Sequence, residues 1–118
     1  MLIVDDNPQV RRLVRGITND LSDEFFECED GDEVLAAFGR HVPDWIVMDV
    51  EMARMDGIEA TKILMAAHPA AKVIIMTKHN DTITRLAAVA AGAYAFCGKD
   101  DLLLLRTLIA DDGKSANC

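Results

Sequence analysis

The chain has 118 residues, 51% of them hydrophobic, which suits one domain built around one core. Lys and Arg number 12 against 20 Asp and Glu, a net charge of −8, so the surface lacks the basic face that direct contact with a nucleic-acid backbone needs. No apolar run approaches the roughly 20 residues that cross a bilayer, and the apolar start, Met1 to Val4, is too short for a signal peptide and has no basic flank; the expectation is a soluble cytoplasmic protein.

Leu2 to Val4 is a short apolar run that ends in Asp5 and Asp6. Asn7 and Pro8 then read as a helix cap followed by proline at the first helical position. Val10, Leu13, Val14, Ile17 and Leu21 continue at helical spacing. Phe25 to Cys28 reads as a second strand, broken by Asp30-Gly31; Val34, Leu35 and Phe38 mark a second helix, stopped by Pro43-Asp44. Trp45 to Met48 is a buried strand that again ends in an acid, Asp49. A loop without periodicity runs to about Gly57, and Ile58, Thr61, Leu64 and Met65 mark the third helix, ended by Pro69. Val73 to Met76 is the fourth strand, ending in Thr77. The fourth helix carries Ile83, Leu86, Ala87 and Ala90 and stops at Gly92. Tyr94 to Cys97 is the fifth strand, ending near Lys99; Asp100 caps a last helix with Leu102, Leu105 and Ile109. A polar tail follows from about residue 111, expected to fray.

Strands alternating with helices predict an α/β fold: a doubly wound, five-stranded parallel sheet of order 2-1-3-4-5 with helices on both faces, a flavodoxin-like three-layer (βα)5 sandwich spanning residues 1–118 as one domain. Cys28, Cys97 and Cys118 are an odd set without close spacing, read as free thiols, the first two buried in strands. His41, His68 and His79 show no metal-ligand spacing. Asp30-Gly31-Asp32 lacks the rest of a calcium-loop pattern and reads as a turn.

The informative residues stand at the strand ends. Open parallel sheets place their functional crevice beyond the carboxyl ends of the strands, at the switch in strand order. Asp5, Asp6, Asp49, Thr77 and Lys99 come from four distant stretches and converge there in the predicted order. Two like charges about 4 Å apart repel by about 4 kcal/mol at an effective dielectric of about 20, so three carboxylates need relief. Lys99 supplies one positive charge and a divalent cation would supply two. The donors are hard oxygens with no thiolate or imidazole among them, which selects Mg2+ or Mn2+. A carboxylate can attack phosphorus directly, without a general base, and Lys99, the Thr77 hydroxyl and loop amides can hold the transferred oxygens.

Ile3-Val4-Asp5-Asp6-Asn7, Val47-Met48-Asp49, Met55-Asp56-Gly57, Ile74-Ile75-Met76-Thr77 and Gly98-Lys99 resemble, in order and spacing, the bacterial two-component response-regulator receiver domain, from about residue 2 to residue 110. Within that family the chain looks like the chemotaxis type of receiver and like receivers that precede a helix-turn-helix output domain. The resemblance implies that Asp49 is the phosphoacceptor, that Asp6 is a direct Mg2+ ligand with Asp5 acting through water, and that the Glu51 backbone carbonyl completes the protein ligands. It implies that Lys99 binds a phosphoryl oxygen, that Thr77 is the switch hydroxyl and Phe96 the switch aromatic, and that Glu51 and His79 flank the path of the attacking water and tune the phosphate lifetime. Tyr94 is close to the switch position in sequence but out of step with it. The implied partners are a sensor histidine kinase or histidine phosphotransfer protein, with an output domain or a second copy as the reader of the helix 4–strand 5–helix 5 face.

Three positions depart from the family pattern. Ala53 stands where a loop proline is usual, Lys78 where the residue is usually small, and Asp100 where a proline often follows the lysine. Other readings of the same residues are an Mg2+-dependent phosphohydrolase with an aspartyl nucleophile, a pseudo-receiver that docks without taking phosphate, and a flavodoxin-like carrier. Glu51 stands where a phosphohydrolase places its second acid, retention of all five site residues speaks against a pseudo-receiver, and Asp5-Asp6-Asn7-Pro8 stands where a carrier would need a Ser/Thr/Gly-rich loop.

Overall fold

A computed structural model describes residues 1–78 and 81–111. The strands β1 (Leu2–Val4), β2 (Phe26–Cys28), β3 (Ile46–Asp49), β4 (Val73–Thr77) and β5 (Ala95–Gly98) alternate with the helices α1 (Pro8–Ile17), α2 (Val34–His41), α3 (Gly57–Ala67), α4 (Thr82–Ala90) and α5 (Leu102–Ala110). All pairings are parallel and the sheet order is β2-β1-β3-β4-β5, as the sequence predicts.

The apolar runs are strands because both faces of the sheet are covered. Every residue of β1, β3 and β4 is buried, which is why these segments are continuously apolar rather than alternating. Successive residues still point to opposite faces. Leu2, Val4, Ile46, Met48, Val73 and Ile75 pack with Val34 and Phe38 of α2, Leu64 of α3 and Ala88 of α4. Ile3, Val47, Ile74 and Met76 pack on the other face with Val14 of α1 and Leu105 and Ile109 of α5. Cys28 and Cys97 are buried free thiols, and burial pushes their pKa values up to about 11 and about 12. Cys118 lies outside the described residues.

Several expected details differ. Helix α1 ends at Ile17, because the Thr18 hydroxyl turns back to the Val14 carbonyl at 2.7 Å and the chain bends through the Leu21 N–H to Thr18 carbonyl bond; Leu21 packs against the core from that turn. Leu13 and Leu35 face outward. In α4 only Ala88 is fully buried, while Ile83 and Leu86 are 81% and 63% exposed; the helix approaches the sheet on its small residues and turns its large ones to solvent. Strands β2, β3 and β5 begin one residue later than expected, at Phe26, Ile46 and Ala95. The cap of α5 is Asp101, whose carboxylate accepts from the Leu104 N–H, and Asp100 lies one residue outside it. Helix α2 ends on Val42, a branched residue at φ 43°, in the left-handed region where side chains are strained.

Candidate functional site

The register of the sheet levels the strand ends. Val4 pairs with Met48, Asp49 with Met76, and Thr77 with Gly98, so the residues that leave these strands emerge along one edge. Asp5 and Asp49 are buried there, Asp6 is exposed, and Thr77 is fully buried at the tip of β4. The Lys99 ammonium reaches across from β5 and lies 2.8 Å from an Asp5 oxygen and 3.0 Å from an Asp49 oxygen. Its backbone N–H donates to the Thr77 carbonyl, which holds the start of the lysine segment against β4. The five strand-end residues expected at the site therefore gather on one edge.

Local sequence fixes each of these groups. The Asn7 side chain caps α1 by accepting from the Gln9 N–H at 2.9 Å, with Pro8 as the first helical residue. The Asn7 N–H donates to the other Asp5 oxygen at 2.8 Å, and the Arg11 guanidinium donates to the Asp5 backbone carbonyl at 2.6 Å. Beyond Asp49, the Gly57 N–H donates to the Val50 carbonyl. A Cβ at Gly57 would collide with the Asp49 carbonyl, so this close return of the chain requires glycine.

The electrostatics are unbalanced. One oxygen each of Asp5, Asp6 and Asp49 lie within 4.8 Å of one another, with one ammonium among them. Burial raises the Asp49 pKa above its ordinary value, the Asp5 charge adds to the rise, and the Lys99 hydrogen bond offsets only part of it. For Lys99, burial alone would lower the pKa; the hydrogen bonds to Asp5 and Asp49 outweigh it and hold the ammonium above its ordinary range. Among the described residues, three carboxylates share one ion-paired ammonium, that of Lys99, an excess of negative charge. A cluster of hard oxygen donors in that state fits a small divalent cation such as Mg2+.

Glu51 is exposed and, with Lys78, lines the cleft above Asp49. His79 lies outside the described residues. Phe96 is half-buried on β5 against the core, with the Arg85 guanidinium of α4 at 5.2 Å from its ring centre. Tyr94 belongs to the opposite end of the sheet, edge-on to Trp45 at 5.0 Å, with its N–H on the Val73 carbonyl at the start of β4. It therefore stands away from the switch position.

One buried acid near the β3–α3 loop has contacts that carry no signal in the sequence. Asp30, expected only to turn the chain, is 2% exposed, and its carboxylate accepts from the backbone N–H groups of Arg54, Met55 and Asp32. The Asp-Gly pair after a strand end marks the turn; nothing in Arg54 or Met55 announces that their amides are the partners.

The family model described as the response regulator receiver domain matches residues 1–110. The nitrogen assimilation regulatory protein NtrX of Azorhizobium caulinodans is 35% identical over 101 residues, covering 84% of this chain and 22% of its own. The uncharacterized transcriptional regulatory protein YxjL of Bacillus subtilis is 36% identical over 102 residues, covering 85% of this chain and 47% of its own. The chain thus spans about a fifth to about half of the length of these relatives. The signal receiver domain of the putative response regulator NarL from Mycobacterium tuberculosis superposes with a TM-score of 0.84 at 25% identity, covering 96% of this chain and 94% of that one. Sheet order, strand-end chemistry and sequence agree, and the chain belongs to the family of response regulator receiver domains.

Proposed function

We propose that the chain is a phosphorylation-switched signalling receiver that takes a phosphoryl group onto Asp49. The observation that carries this reading is Lys99 held between Asp5 and Asp49, with the exposed Asp6 beside them. A histidine kinase or histidine phosphotransfer protein presents a phosphohistidine. An Asp49 oxygen forms the new bond to phosphorus as the bond to the donor imidazole breaks, and the imidazole nitrogen regains its proton from solvent. Lys99 and the Thr77 hydroxyl then hold phosphoryl oxygens.

Asp6, Asp49 and the Glu51 carbonyl would hold Mg2+, or Mn2+, directly. Both Asp5 oxygens are already engaged, by Lys99 and by the Asn7 N–H, which suits contact through water instead. The bound ion supplies positive charge to the phosphoryl oxygens. The chain turns over no other substrate in this reading, and works in the cytoplasm, where the family takes its phosphate.

The output is a change in the face made by α4, β5 and α5. Ile83, Leu86, Leu103 and Leu104 are exposed on α4 and α5, and Phe96 lies beneath Arg85 between them. Drawing Thr77 toward the phosphate makes room for Phe96 to turn, which reshapes that surface for an output domain or a second copy. A difference of about 1.4 kcal/mol in partner affinity between the two states is a tenfold shift.

Incubation with acetyl phosphate and Mg2+, followed by intact mass, tests the acceptor. The wild type gains one phosphoryl group and Asp49→Asn gains none; equal labelling of the variant refutes the assignment.

A further inference from the structure

The segment between β3 and α3 is a loop closed at its ends by the Gly57 N–H to Val50 carbonyl bond, with no proline to stiffen its middle. The middle is anchored from the neighbouring loop. Asp30 Oδ1 accepts from the Arg54 N–H at 2.8 Å, and Oδ2 accepts from the Met55 N–H at 2.9 Å and the Asp32 N–H at 3.2 Å. The Asp30 N–H donates to the Glu33 carboxylate at 2.9 Å, closing a reciprocal cap on the 3₁₀ turn Gly31–Glu33. Gly31 lies so close to the loop that a Cβ there would run into the Met55 carbonyl oxygen. The exposed Arg54 guanidinium pairs most closely with Asp32, at 2.7 Å, and stands farther from Asp30 and Glu33, at 3.9 and 3.8 Å.

A buried carboxylate satisfied by backbone donors from another loop fixes that loop's position as a side-chain pair does not, because the donors cannot rotate away. We propose that Asp30 is a positioning residue for the cation site: by holding the amides of Arg54 and Met55, it fixes the β3–α3 loop so that the Glu51 carbonyl is presented beside Asp6 and Asp49. The proposal rests on the Mg2+ reading given above. Asp30 touches neither cation nor phosphate; it acts through the backbone three residues beyond Glu51.

Asn cannot replace it, because an amide oxygen can face only one side and its NH2 then confronts a backbone N–H on the other. Asp30→Ser is the complementary variant: a hydroxyl still caps the turn at the Asp32 N–H but does not extend to the Arg54 amide.

Mg2+ titration by calorimetry and amide hydrogen exchange in the metal-free protein test the idea. In both variants Mg2+ affinity falls about tenfold or more, and the Arg54 and Met55 amides lose protection. Arg54→Ala removes the guanidinium, with its 2.7 Å pair to Asp32 and its longer 3.9 Å contact with Asp30, but leaves both backbone donors in place and keeps wild-type affinity, as does Ile109→Val on the far face of the sheet, which lowers stability without touching the loop. Wild-type Mg2+ affinity in Asp30→Ser or Asp30→Asn overturns the positioning role alone. Absence of Mg2+ binding by the wild type overturns the cation reading, and the positioning role with it. Equal loss of affinity in Ile109→Val shows a general effect of stability and also overturns the role.

Discussion

Removing the charge of Asp49, the proposed phosphoacceptor, should make the metal-free protein more stable. Asp49 is 5% exposed and shares one ammonium with Asp5. At an effective dielectric of about 20, repulsion from Asp5 within 4.8 Å costs at least about 3.5 kcal/mol, and Lys99 at 3.0 Å returns about 5.5 kcal/mol. Exposed Asp6 adds a smaller, screened repulsion, so the Coulomb contributions nearly cancel. The cost of burying the carboxylate then decides the sign, and Asp49→Asn stabilises the metal-free protein by about 2 kcal/mol at neutral pH. That is about 8 °C in melting temperature for a domain of this length. The pH dependence follows from the raised Asp49 pKa. The folded state holds this proton more tightly than the unfolded chain, so wild-type stability falls as pH rises from the ordinary carboxylate range through the raised value, and is then level. The variant lacks that slope, so its advantage vanishes in acid and is full at neutral pH. Urea unfolding of both proteins in EDTA, from pH 4 to 8, measures the gap; Mg2+ then closes it by stabilising the wild type. A variant equal to or less stable than the wild type at pH 7 in EDTA refutes the charge balance.

Four further outcomes are expected. Asp6→Ala weakens Mg2+ binding more than Asp5→Ala, measured by calorimetry, because both Asp5 oxygens already have donors. Thr77→Ala still gains the phosphoryl mass but shifts less than the wild type in sedimentation with beryllofluoride, since the proposed switch runs through the buried Thr77. Replacing Glu51 and His79 together by alanine changes the rate of phosphate loss several-fold, followed by mass against time; identical decay places both side chains off the water path. Val42→Gly raises thermal stability by about 1 kcal/mol, since Val42 is two-thirds exposed and holds φ 43°, and relief of the left-handed strain exceeds the added freedom of the unfolded chain.

The strands and the edge position of the residues that end them were legible for one physical reason. A strand covered on both faces must be continuously apolar, so Leu2–Val4, Ile46–Met48 and Val73–Met76 stand out, and the acid or hydroxyl that ends each is displaced to the sheet edge. Helix faces were harder. Ile83 and Leu86 have the spacing of a core stripe, yet α4 packs through Ala88, because periodicity fixes which residues share a face and not which face is covered. Asp100 and Asp101 are equally good caps by residue type, and only the turn from β5 decides for Asp101. The Asp30 contacts were illegible because their partners are backbone amides, which every residue but proline carries.

The all-parallel pairing also governs when the site comes into being. Leu2 pairs with both Phe26 and Ile46, so β1, an interior strand, closes long stretches of chain on each side and cannot form from a local hairpin. The last partner, Lys99, joins Asp5 from 94 positions away in the chain. On a ribosome, a nascent chain too short to include Lys99 presents Asp5 and Asp49 without their ammonium, so these ion pairs form only once β5 has docked.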